Sequence, residues 1–256
     1  MIRRTFIKNL CSAIGFFSFG LCNNQMNLFA QNKNSEKKGL LSIKNLLKRE
    51  KSLTWLFIGD SITQGAKHTS GMRSFPQIFE ERIRWELGRP YDTVINTAIS
   101  GNTTEEIIND FEIRIAKYKP NVVFLMIATN DAASIRNIST EQFKSNLFQL
   151  VNLVQSTGST LILMTPTPII SERSIGRRNI KQYVNKIREV ASSENIILID
   201  NWAIWNNELR IKYGDTFYDK LLSDPLHPNG NGHKEIAIAI FRELELFDEN
   251  SFTCIN

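Results

Sequence analysis

Five short β-rich runs alternate with longer amphipathic segments along this 256-residue chain. The runs are 54–58, 93–96, 122–127, 160–164 and 196–199, and amphipathic stretches near 74–87, 103–118, 140–155 and 179–192 separate them. Val122-Val123-Phe124-Leu125-Met126 is apolar on both faces, a pattern suited to a strand sandwiched between helices and not to one with a wet side. The alternation predicts an α/β fold with a five-stranded parallel sheet in a three-layer α/β/α sandwich, closed by a last helix over about 230–246. With 42% hydrophobic and 22% charged residues, the composition is that of a globular protein able to bury one large core. No internal repeat or shift of composition marks a second domain.

In open parallel sheets the reactive groups collect where strands end and loops lead into helices. Here those ends are polar: Gly59-Asp60-Ser61 after the first run, Ile99-Ser100-Gly101-Asn102 after the second, and Thr129-Asn130-Asp131 after the third. Near the C-terminus stands Asp224-Pro225-Leu226-His227. An acid three residues before a histidine can accept its Nδ1–H and leave Nε2 free as a base. Ser61, at a strand-to-helix turn, is the candidate nucleophile, inert until a base takes its proton. The backbone N–H groups of Ser61 and Gly101 and the side-chain amide of Asn130 supply three donors for an oxyanion. Each element alone has an ordinary explanation, as a turn or a cap; the four together, in one order, point to acyl transfer.

These four blocks resemble, in order and spacing, those of the SGNH (GDSL-type) esterase and lipase family, over about residues 53–246. The resemblance implies a flavodoxin-like sandwich, Ser61 as nucleophile and oxyanion donor, Gly101 and Asn130 as the other donors, His227 as base and Asp224 as its orienting acid. Ala128 departs from the pattern, since a glycine commonly opens the third block. The Gly-x-Ser-x-Gly elbow of α/β-hydrolases is missing, because Thr63 stands where its second glycine would be. Phosphate-loop and dinucleotide fingerprints are missing too, and no cofactor or metal is implied. His233 is expected at the surface or at a helix start.

Residues 1–30 read as an export signal: Arg3, Arg4 and Lys8, then an apolar stretch from Leu10 to Cys22 too short to span a bilayer. A periplasmic or extracellular location is therefore expected, with lipid anchoring through Cys22 the lesser alternative and the export route open. Residues 31–52 form a basic linker and helix with Leu40, Ile43 and Leu47 at helical spacing, expected to pack on the domain at 53–256 and not on a membrane. Of three cysteines, only Cys254 lies beyond the leader, so the exported domain is expected without disulfides. The net charge of +5 drops to an excess of two once Arg3, Arg4 and Lys8 are set aside, and it argues against a nucleic-acid partner. Oligomeric state is not legible.

His68 and Arg73 follow Ser61 on a loop and are candidates for substrate binding, although a solvated loop explains them equally well. Trp202, Trp205, Tyr213, Phe217 and Tyr218 either stack on sugar rings or fill the core. The expected activity is hydrolysis of short acyl esters, O-acetyl groups on carbohydrate foremost. Alternatives are a lipase, lysophospholipase or thioesterase of the same fold, a glycan-binding protein without turnover, or a membrane-associated interaction protein using the basic helix.

Overall fold

The structure, a computed structural model, describes residues 40–255 apart from 42 and 49, so the expected export signal at 1–30 lies outside the described residues. Five strands, β1 (Thr54–Gly59), β2 (Thr93–Asn96), β3 (Val122–Met126), β4 (Thr160–Met164) and β5 (Ile197–Ile199), form one sheet in the order β2-β1-β3-β4-β5. Every pairing is parallel, with Phe57 beside both Asn96 and Phe124, and Phe124 beside Ile162. Because side chains alternate across a strand, the doubly apolar runs feed two separate cores. Trp55, Phe57, Val122, Phe124, Met126, Ile162 and Met164 face one side, packed with Phe75 and Phe79 of helix α2 (Phe75–Glu81) and Ile236, Ile240 and Phe241 of helix α6 (Gly230–Glu243). Leu56, Ile58, Val123, Leu125, Leu161 and Leu163 face the other. There they meet Ile107 of α3 (Thr104–Asn109), Phe143 and Leu147 of α4 (Thr140–Ser156), and Ile180 and Ile187 of α5 (Ile180–Ser193). These are the three layers that the alternation predicts. The four-residue helix α1 (Ser61–Gln64) follows β1 directly.

Two expected helices differ in detail. The stretch near 74–87 is α-helical only to Glu81 and continues as a π-helix over Arg82–Glu86, and that near 103–118 is broken at Asp110. In the first, the Arg82 guanidinium is drawn into the interior, where it donates to the Leu246 carbonyl and Ser251 Oγ. Residues 43–47 are helical; Ile43 is fully buried, with Leu46 and Leu47 packed against the same core. Among the described residues, no helix is long and apolar enough to cross a membrane.

A sheet of order 2-1-3-4-5 has its topological switch point between β1 and β3, which opens a crevice at their carboxyl ends. The polar loops identified from sequence lie at that end.

Candidate active site

The first loop is forced tight by its neighbours. A Cβ on Gly59 would meet the Met126 carbonyl oxygen at 2.2 Å and Thr63 Oγ1 at 2.5 Å, so only glycine lets β1 lie this close to the end of β3. Asp60 caps α1, its Oδ1 accepting the Ile62 N–H at 2.9 Å. Ser61 therefore opens the helix at the mouth of the crevice, and its Oγ lies 2.9 Å from His227 Nε2.

His227 comes from the far end of the chain on a loop folded around Asp224. Asp224 Oδ1 accepts the backbone N–H groups of Leu226 and His227 at 2.7 and 2.8 Å, while Oδ2 lies 2.8 Å from His227 Nδ1. Burial alone would raise the Asp224 pKa, but the two amides and the imidazole outweigh it and hold the carboxyl below its ordinary range. An ionised carboxylate thus fixes the ring with Nδ1 protonated and Nε2 turned to the serine hydroxyl. Serine, histidine and aspartate, separated by up to 166 positions, form one hydrogen-bonded chain.

The other two loops are tied to each other. Ser100 N–H donates to Gln64 Oε1 of α1, and Asn130 Nδ2 donates to the Asn102 carbonyl at 3.1 Å, so Gly101 is bracketed between the two ties. Gly101 has φ +86°, a backbone state that glycine adopts freely. Two arginines that sequence reasoning did not single out hold these donors. Arg136 Nη2 donates to the Gly101 carbonyl at 2.8 Å. Arg177 Nη2 donates to Asn130 Oδ1 at 3.1 Å while its Nε holds the Thr129 carbonyl, which pins the oxygen end of the amide away from the loop and turns Nδ2 toward it. Both arginines sit in single 3-10 turns with no periodic pattern, so nothing in the sequence marks them.

Ala128, the departure in the third block, is fully buried with φ +128°. That region costs a residue with a Cβ roughly 1–3 kcal/mol, which explains why glycine suits the position. Asp131 Oδ1 accepts both the N–H and the Oγ1–H of Thr104, anchoring the block to α3 despite the strain.

His68 stacks flat on His227, with ring centroids 3.6 Å apart and planes 4° from parallel, and its Nδ1 lies 3.2 Å from Asp224 Oδ2. One ligand atom from each of His68, Asp224 and His227 falls within a span of 4.8 Å, close enough to consider a cation. The stacking argues otherwise, since parallel rings aim their nitrogen lone pairs along parallel lines and one ion cannot lie in both ring planes. Arg73 is ion-paired with Glu81 and lines a cavity of about 120 Å³ with Met72, Gly230 and Lys234. His233 lies in the first turn of α6 but is buried and not at the surface: Phe75 N–H donates to its Nδ1 at 3.3 Å, and burial pushes its pKa down to about 4. Trp205 and Phe217 are core residues, and Tyr213 and Tyr218 pack against the same core.

The family model of the GDSL-like lipase/acylhydrolase family matches residues 57–235. An uncharacterized protein of Mycoplasma pneumoniae is 33% identical over 199 residues, a match covering 74% of this chain but only 22% of that longer protein. An acetylxylan esterase of Geobacillus stearothermophilus is 29% identical over 207 residues, covering 74% of this chain and 92% of the esterase. Among solved structures, a mutant of an acetyl-xylooligosaccharide esterase from Geobacillus stearothermophilus superposes with a TM-score of 0.65 at 25% identity, covering 77% of this chain and 96% of that one. A match over most of the described chain, on a sheet of the order found here, means that this chain belongs to the GDSL-like lipase/acylhydrolase family of ester hydrolases.

Proposed function

We propose that the protein is an exported serine esterase that removes short acyl groups, O-acetyl groups on carbohydrate foremost, through an acyl-Ser61 intermediate. The observation that carries the reading is the 2.9 Å contact between Ser61 Oγ and His227 Nε2, with the other ring nitrogen on Asp224. As the hydroxyl attacks the ester carbonyl, its proton passes to Nε2 and the resulting imidazolium is stabilised by the ionised Asp224. The carbonyl oxygen becomes an oxyanion facing the N–H groups of Ser61 and Gly101 and the Asn130 amide. Collapse expels the alcohol, which takes the proton from Nε2, and leaves the acyl group on Ser61. Water, deprotonated by His227 in the same way, attacks the acyl carbonyl; the bond to Ser61 Oγ breaks, the acid leaves, and the imidazolium returns its proton to the serine. The carbohydrate acetate assignment is supported by the acetylxylan esterase relative and by the structural likeness to an acetyl-xylooligosaccharide esterase. Export is supported by the basic and apolar pattern of residues 1–30.

Turnover of p-nitrophenyl acetate tests the chemistry. Ser61→Ala and His227→Ala are each expected to lower kcat by about 10⁴-fold or more, the range known for triad members, while wild-type rates in both would refute the assignment. Acetate release from a panel of acetylated polysaccharides, set against cleavage of palmitoyl esters, tests the substrate. Preference for the long chain would favour the lipase alternative.

A further inference from the structure

The sequence offers His68 as a substrate contact, but the structure lays it on the base itself. The loop carrying it between α1 and α2 turns repeatedly, with left-handed conformations at Gly65, Lys67, Ser70 and Gly71. The His68 ring covers one face of His227 at van der Waals distance, and its Nδ1 approaches the same Asp224 oxygen that holds His227. We propose that His68 is a positioning residue for the triad, a flat aromatic cover that holds the His227 ring in its productive plane and keeps water off one face. The proposal rests on the reading of His227 as the general base.

A base that must reach first the serine proton and then the leaving oxygen loses rate when its ring can rock, because small misplacements of reacting groups are costly. Hydrogen bonds at both ring nitrogens fix His227 along its in-plane axis, whereas rotation out of plane is opposed only by what packs on its faces. A stacked neutral ring supplies that restraint and also offers its π-face to the imidazolium formed during the reaction. A charged ring would repel the imidazolium and compete for Asp224. The charged and titratable groups facing His68 are His227, Asp224 and Lys67, with His233 buried nearby. Burial first, then His227 and Lys67, lower the His68 pKa against the opposing pull of Asp224, which favours the neutral ring.

The test compares His68→Ala with His68→Phe, which keeps a flat ring but carries no titratable nitrogen. With p-nitrophenyl acetate, His68→Ala is expected to lower kcat about tenfold, the worth of a stacked pair, with KM within about twofold of wild type. His68→Phe is expected to recover most of that loss. Ring NMR of the two variants follows the restraint without turnover: the His227 ring signals are expected to show greater mobility in His68→Ala than in wild type and to regain wild-type order in His68→Phe. A raised KM with unchanged kcat would make His68 a substrate contact and overturn the proposal. So would a phenylalanine variant as slow as the alanine one, or a His227 ring equally ordered with and without the cover. If the wild-type chain turns over no ester, the functional reading fails while the NMR comparison still decides the role of His68.

Discussion

Asp60, one residue before the proposed nucleophile, is buried beneath the turn, and its pKa is pushed up to about 7. Burial is the main cause, opposed by the hydrogen bond from Ile62 and reinforced by the charge of Asp131. Asp131, itself buried, is raised by the same cause to about 6. A carboxyl whose pKa is higher folded than unfolded binds its proton more tightly in the native state. Its contribution is complete below the unfolded value near 4 and is lost as pH climbs through the folded value. Conformational stability should therefore decline between about pH 4 and 7, by at most about 1.4 kcal/mol per pH unit for each proton. Asp60→Asn, which keeps the oxygen that caps Ile62, is expected to flatten that decline and to be more stable than wild type at pH 8. Urea unfolding across this range checks it; equal slopes for the two proteins would place the titration elsewhere. None of this is legible in Gly-Asp-Ser as letters, because depth of burial belongs to the assembled layers.

Among the elements, strands were the most readable. Those predicted at 93–96 and 160–164 form with the same limits, and the other three shift by one residue at one end. A run apolar on both faces has few alternatives once helices flank it. Helices were less readable where an ionic or polar side chain interrupts the period, as with the buried guanidinium of Arg82. The 3-10 turn over Ile175–Arg177 left no signature at all, yet it delivers the guanidinium that orients Asn130. Arg177→Met, which keeps an apolar stem and removes the donors, frees the Asn130 amide to flip its oxygen toward the oxyanion site. The expected loss of kcat approaches the 10²–10³ of an absent oxyanion donor, with thermal stability little changed. Rates with p-nitrophenyl acetate alongside melting curves separate the two effects, and full activity would mean that Asn130 keeps its orientation unaided.

Across the whole molecule, the parallel sheet does what the separate motifs cannot. Its switch point between β1 and β3 gathers Ser61, the Gly101 loop and Asn130 at one edge, and α6, packed on the same layer as α2, fixes the end of the chain from which His227 returns. The Ser61–Asp224–His227 arrangement was foreseeable because motif order survives any detail of packing. The histidine stack was not, since it depends on a loop path without periodicity. Covalent capture probes the catalytic claim itself: incubation with diethyl p-nitrophenyl phosphate, proteolysis, and mass spectrometry to locate the adduct. The account predicts a diethylphosphoryl group on Ser61, formed in wild type and lost in His227→Ala; a label on another residue, or one formed equally fast without His227, would contradict it.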